Sequence, residues 1–176
     1  MSGHSKWAQI KRQKGAEDAR KSKLFGKLGS LIASESKRAK GDLNAPGLRL
    51  AVERAKKENM PKDTIERAIK KGLGADQREM ETLVYEGYGP GGSALIIVAL
   101  TDNRNKAAQE IKHILSKNGG SWAEQGAASW AFTKSDEGYT PNMTVPLSDE
   151  DAEVLSNLVD LLEDCEEVQE VFTNVE

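Results

Sequence analysis

The spacing of apolar positions first changes period between residues 72 and 80. Up to about residue 72 apolar residues recur every three or four positions, and beyond about residue 80 alternating and short apolar runs appear between helical stretches. A helix is predicted from about Ala16 to Lys40, with Leu24, Leu28 and Leu31, joined by Phe25 and Ile32, on one face. Gly26 and Gly29 weaken that helix by ~1 kcal/mol each relative to Ala, which implies close packing or some flexibility there. Gly41 is a plausible residue to end it. Pro46 opens a second helix, with Leu48, Ala51, Val52 and Ala55 inward, and Pro61 breaks it at Met60. A third helix follows over Lys62–Lys71, with Ile65, Ala68 and Ile69 inward and Glu66 and Lys70 spaced for mutual support.

Beyond a linker at Leu73–Arg78 the pattern becomes strand-like. Glu81–Tyr88 and the β-branched run Ser93–Thr101 flank Gly89-Pro90-Gly91-Gly92, a hairpin turn. Thr101 or Asp102 is the expected cap of a helix that runs to about Asn118, where Gly119-Gly120 stops it. Ala127–Thr133 reads as a strand with Ala128, Trp130 and Phe132 on one face, and Asn142–Leu147 as a shorter edge strand. Ser148 caps a helix that opens on three acids and buries Val154, Leu155, Leu158, Val159, Leu161 and Leu162. Val168–Val175 is the last strand. After the initial hairpin strand the order is β-α-β-β-α-β. The expected fold class is α+β: a three-helix domain over residues 1–73, then a ferredoxin-like split βαβ domain with an extra hairpin strand over residues 79–176.

Charge sharpens this division. Met1 to Gly72 holds 19 Lys+Arg and 8 Asp+Glu, a net of +11, whereas the remainder holds 6 bases and 20 acids, a net of −14. The whole-chain net of −3 conceals the split. A contiguous basic block joined to an acidic domain is the footprint of a polyanion-binding module, and a solvated lysine-rich surface is the plainer alternative. The basic arm and first helix carry the candidate nucleic-acid contacts: Lys6, Lys11, Arg12, Lys14, Arg20, Lys21, Lys23 and Lys27. Their binding to successive phosphates would release counterions and depend steeply on salt. Trp7, set among these bases, either stacks on a base or packs the arm onto the helices. No helix shows the Arg/Asn/Gln cluster of a major-groove reader, which favours RNA or shape recognition.

Several chemistries find no support. Cys165 is the single cysteine, so no disulfide forms within the chain, and a reducing cytoplasm fits. The start is polar and basic with no apolar core of a secretory signal, and no run approaches the ~20 apolar residues of a membrane span. Gly87-Tyr88-Gly89-Pro90-Gly91-Gly92 satisfies a dinucleotide-binding spacing, but it leads into a strand rather than a helix, and Pro90 removes an N–H donor. His4, His113 and Cys165 lack metal-ligand spacing, and no nucleophile stands beside a base. The acids from Asp149 to Glu167 read as a solvated face, with attraction for a basic protein partner as the alternative. Asp102-Asn103-Arg104-Asn105 lies where a strand turns into a helix. Capping accounts for one residue, while Arg104 and the asparagines suit contact with RNA backbone or with the neighbouring domain.

Long motifs add a family resemblance. Met1-Ser2-Gly3-His4-Ser5-Lys6-Trp7, Asn59-Met60-Pro61 with Ile65-Glu66-Arg67-Ala68-Ile69, Tyr85 to Gly92, Ala99 to Asn105, and Lys117-Asn118-Gly119-Gly120 resemble the YebC/PmpR family over nearly the whole chain. The resemblance implies a probable transcriptional regulator that binds DNA. It also implies an alternative, since a mitochondrial relative is described as a translational activator and bacterial members have been linked to the ribosome. The family normally inserts a third domain of roughly seventy residues, within the usual domain range, between the strand ending near Thr133 and Tyr139-Thr140-Pro141. Here only Lys134–Gly138 bridge that interval, so the chain reads as a short form.

The expectation is therefore a non-enzymatic cytoplasmic regulator of gene expression. Its partner is nucleic acid, either DNA or rRNA/tRNA on the ribosome, with a possible protein partner for the acidic domain. A protein–protein adaptor is the remaining alternative. No cofactor, metal, small-molecule substrate or membrane is expected.

Overall fold

The computed structural model describes residues 6–13 and 17–176, the side chains of residues 8, 11–13 and 17–19 excepted. The chain forms two compact units. One comprises residues 15–81, and the other comprises residues 1–14 with 82–176.

The first unit is a three-helix bundle of α2 (Glu17–Ala39), α3 (Pro46–Lys57) and α4 (Lys62–Gly72). Leu28 and Ile32 of α2, Leu48, Ala51 and Ala55 of α3, and Ile65 and Ala68 of α4 are buried together with Met60. These are the inward positions that the helical period predicts. Punctuation is local. Gly41 adopts a φ of 79° and its N–H reaches back to Ser36 O at 3.0 Å, closing α2. Pro46 is the first residue of α3 after an extended Ala45, as a proline start requires. Asn59 (φ 65°) ends α3 and lets Met60 N donate to Ala55 O at 2.9 Å.

α2 and α4 meet closely at one point. Ser36 Oγ donates to Ile69 O at 2.7 Å. A Cβ on Gly72 would lie 2.3 Å from Ala33 O and 2.7 Å from Ser36 Cβ. Gly72 is the last residue of α4, and its missing side chain is what allows the two helices to touch.

The second unit is α+β. Its sheet has the order β3-β1-β2-β6 and is antiparallel, built from β1 (Glu81–Tyr88), β2 (Ala94–Thr101), β3 (Ser121–Ala123) and β6 (Val168–Thr173). The helices α5 (Arg104–Lys117) and α6 (Asp149–Asp164) cover one face. Their core joins Leu95, Ile97 and Ala99 of β2 to Ile111, Leu115, Leu155, Leu158, Leu162 and Val168. On the other face Ala94 and Ile96 pack with Ala128, Ala131 and Phe132, flanked by Tyr139 and Phe172. That layer includes a small hairpin of β4 (Phe132–Ser135) and β5 (Gly138–Pro141). β2 is thus buried on both faces, which explains its unbroken apolar run.

The structure departs from the sequence expectations at several points. The basic arm, expected as part of the three-helix domain, contains a helix, α1 (Lys6–Gln13), which packs in the α+β unit rather than in the bundle. Trp7 supplies the reason, since its indole lies half-buried against that unit's core. The expected strand over Ala127–Thr133 is a single helical turn at Ser129–Ala131 followed by β4, and Trp130 is 58% exposed instead of facing inward. The strand expected over Asn142–Leu147 falls earlier, at Gly138–Pro141, and only Val145 makes a bridge, to Val175. β3 was not expected, because three residues are too short to show a period.

The approach at Gly72 yields a direct test. Gly72→Ala is expected to destabilise the bundle by about 1–3 kcal/mol through overpacking, measured by urea denaturation of the full chain. A Ser36→Ala control loses one hydrogen bond, about 1 kcal/mol.

Candidate nucleic-acid interface

Regrouped by unit, the residues 15–81 carry 16 bases and 11 acids, a net of +5, and the other unit carries 9 bases and 17 acids, a net of −8. The bundle is therefore the basic body, and two sets of its bases differ in what the helices gain from them. Lys37 and Arg38, Arg54, Lys56 and Lys57, and Lys70 and Lys71 occupy the last turns of α2, α3 and α4. Cations are favoured there by the helix dipole, so these positions also serve the helices themselves. Arg38 is engaged further, with Nη1 at 3.2 Å from Glu35 Oε1 and Nη2 donating to Met80 O at 3.2 Å.

The second set is Arg20, Lys21 and Lys23, exposed on the first turns of α2, with Lys27 half-buried beyond them. Arg20, Lys23 and Lys27 recur at i, i+3 and i+7 and share one face. The helix dipole favours no cation at that end. α2, α3 and α4 contain neither Asn nor Gln, so the amide pairings that read adenine are absent from them. The row can present charge to phosphates.

The remaining predicted residues are placed elsewhere. Lys6 Nζ lies 3.5 Å from Glu153 Oε1 of α6, and Trp7 packs in the α+β core. Lys11 and Arg12 lie on α1 with their side chains outside the description, and Lys14 lies outside the described residues. Arg104 is the exposed first residue of α5. The cap beside it is Asn103, not Thr101 or Asp102. Asn103 Oδ1 accepts from Lys106 N at 3.1 Å, while buried Thr101 Oγ1 accepts from Asn103 N at 2.9 Å and shapes the turn. Sequence reasoning passed over the exposed bases of α3 and α4, among them Arg49, Lys56, Lys62, Arg67 and Lys70. Their charge was legible, and their helical period would have placed them outward.

One buried carboxylate was also missed. Glu86 on β1 is only 5% exposed. It accepts backbone N–H bonds from Gly126 at 2.7 Å, Ala128 at 2.8 Å and Ser129 at 2.7 Å. Burial works against its charge, but the backbone donors more than offset that and hold its pKa below the ordinary value. Gripping those N–H groups draws the segment away from strand pairing and forms the turn that exposes Trp130. The indole is held in turn, with Nε1 donating to Ala127 O at 2.8 Å, an oxygen that also accepts from Tyr88 Oη. Glu86 is spent on loop architecture and not poised for catalysis. Among the described residues no group of His, Cys, Asp and Glu could hold a metal ion, and no helix is long and apolar enough to cross a membrane.

Fold and charge together define a basic three-helix unit joined to an acidic ferredoxin-like unit. The chain belongs to the TACO1/YebC family. Residues 5–75 match the family's N-terminal domain and residues 80–137 and 133–175 match its second and third domains, the two segments meeting in the β4–β5 hairpin. A "probable transcriptional regulatory protein" of Fervidobacterium nodosum is 39% identical over 236 aligned residues, covering 99% of this chain and 93% of that protein. Another protein of the same name, from Halothermothrix orenii, is 52% identical over 136 residues, covering 76% of this chain and 54% of that one. The crystal structure of a conserved hypothetical protein from Aquifex aeolicus is 30% identical with a TM-score of 0.75, covering 98% of this chain and 97% of that one. An alignment of 236 positions against a 176-residue chain marks this member as a short form.

The Glu86 clamp predicts a pH effect. A carboxyl depressed by folding contributes stability that is present above its unfolded pKa and lost as pH falls through its folded pKa. Glu86→Gln is expected to cost about 1.5–3 kcal/mol at neutral pH, as for hydrogen bonds to a charged group. The difference from the parent chain should shrink below about pH 4, near the unperturbed carboxyl value. Urea denaturation across pH, followed by tryptophan fluorescence, reads both.

Proposed function

We propose that the chain is a non-enzymatic, cytoplasmic regulator of gene expression whose three-helix unit binds the phosphate backbone of nucleic acid. The observation that carries this reading is the exposed row Arg20, Lys21 and Lys23. These bases stand on a helix end where the dipole offers them nothing, in the unit of positive net charge. The names of the relatives support transcription as the process, and DNA is the polyanion that such a role would engage. Arg104, on the other unit, is the candidate contact outside the bundle.

A second reading, binding of rRNA or tRNA to assist translation on the ribosome, is favoured by the absence of Asn and Gln from α2, α3 and α4. A surface that offers charge without amide readout suits recognition by backbone and shape.

Gel shifts on promoter DNA and cosedimentation with ribosomes at matched salt separate the two. Sequence-selective DNA binding without ribosome association supports the first reading, and the converse supports the second. Triple reversal of Arg20, Lys21 and Lys23 to Glu is expected to weaken either interaction. It should also flatten the logarithmic salt dependence by about 0.9 per lost phosphate contact on duplex DNA, or about 0.7 on a single strand. Unchanged affinity and salt slope would remove the row from the interface.

A further inference from the structure

Two residues expected at nucleic acid, Lys6 and Trp7, are taken up inside the chain instead. α1 packs on α6, with Trp7 and Ile10 half-buried and Lys6 Nζ 3.5 Å from Glu153 Oε1. The two helices are opposite in charge. α1 carries Lys6, Lys11 and Arg12 and no acid, whereas α6 carries seven acids and no base. An acidic helix therefore seats the same segment whose bases were expected to meet phosphates.

The hold is of a kind that a polyanion can displace. α1 has eight residues, and isolated helices below about 12–15 residues are marginal in water, so α1 owes its form to its seat. Trp7 lies at the margin of the core rather than within it. The Glu153 side chain is 67% exposed, and ion pairs in such a setting contribute little and weaken with salt. Duplex DNA offers a denser row of charge, about one per 1.7 Å of axis, and gains entropy from the counterions that it releases.

We propose that α6 is an internal stand-in for nucleic acid: it holds α1 in the free protein, and bound nucleic acid displaces α1, so that Lys6, Lys11 and Arg12 pass from the acidic helix to phosphates. The contact is autoinhibitory, because nucleic acid must outcompete α6 for these cations, and its apparent affinity is reduced by the fraction of chains in which α1 is docked. Weakly or sparsely charged polyanions are thereby rejected. The proposal rests on the nucleic-acid reading above and assigns a task to the acidic unit within it.

The test fixes α1 on α6 in the full chain. Cys165, the one native cysteine, is replaced by Ser, and Lys6→Cys and Glu153→Cys are joined by a short bismaleimide. The unjoined variant is the control, since it carries the same protein charges. The probes are a fluorescein-labelled random-sequence duplex DNA and a single-stranded RNA of equal length, followed by anisotropy over a salt series. Joining is expected to weaken binding about tenfold and to flatten the logarithmic salt dependence by about 1.8 on duplex DNA, for two withheld bases at about 0.9 each. Saturating nucleic acid should in turn suppress the joining reaction. Equal affinity and slope for joined and unjoined chains, or tighter binding when joined, overturns the proposal and leaves the nucleic-acid reading standing. So does joining that fails in the free protein or proceeds unchanged at saturation. Absence of binding by the parent, joined and unjoined chains alike removes the nucleic-acid reading itself, and the proposal with it.

Discussion

Strand β2 is buried from both sides, and the α+β unit is organised around that fact. Leu95, Ile97 and Ala99 need a helical layer on one face, and Ala94 and Ile96 need a cover on the other. α5 and α6 answer the first demand, with Trp7 of α1 joining them. The second demand falls to a short layer made of the 126–131 loop and the β4–β5 hairpin. Such a layer has too little regular structure to satisfy its own backbone. Glu86 from β1 and Asn174 beyond β6 supply the missing partners: Glu86 takes three N–H groups of the loop, and Asn174 links Ala94 N to Met143 O. Buried polar groups are tolerated here because each is fully used.

The bundle solves a different problem. Its core is thin, and its helices carry many bases. Seven of the fourteen bases on these helices stand in last turns, where the dipole favours them, and a short row stands at the start of α2, where it does not. The same comparison, whether a charge agrees with the helix end that it occupies, marks bases at the start of α2 and acids at the end of α6.

The short form of this family member is consistent with the covering layer. The two matched segments of the second and third domains meet at residues 133–137, in the tip of the β4–β5 hairpin. A tight hairpin there closes the chain while Phe132 and Tyr139 still pack beneath it. The sheet and its helical layer need nothing from the interval that longer relatives fill.

The sequence by itself determined helices α2 to α6, their stops and most of their caps, the hairpin β1–β2 and the segregation of charge. Those features depend on neighbours a few residues apart: a period of 3.6, a proline start, a serine cap, a left-handed glycine. Tertiary structure alone decided the rest. Glu86 meets its donors 40 to 43 positions away, Ser36 meets Ile69 across 33, and Cys165 meets Glu110 across 55. Trp7, which local pattern leaves between stacking on a base and packing, is drawn into a core, and Trp130, expected on an inward face, is turned outward beside a loop held by a buried carboxylate. Spacing along a chain reports which face a residue shares with its neighbours. It does not report which distant group arrives to fill, clamp or uncover that face, and in this protein those arrivals set the surfaces available to partners.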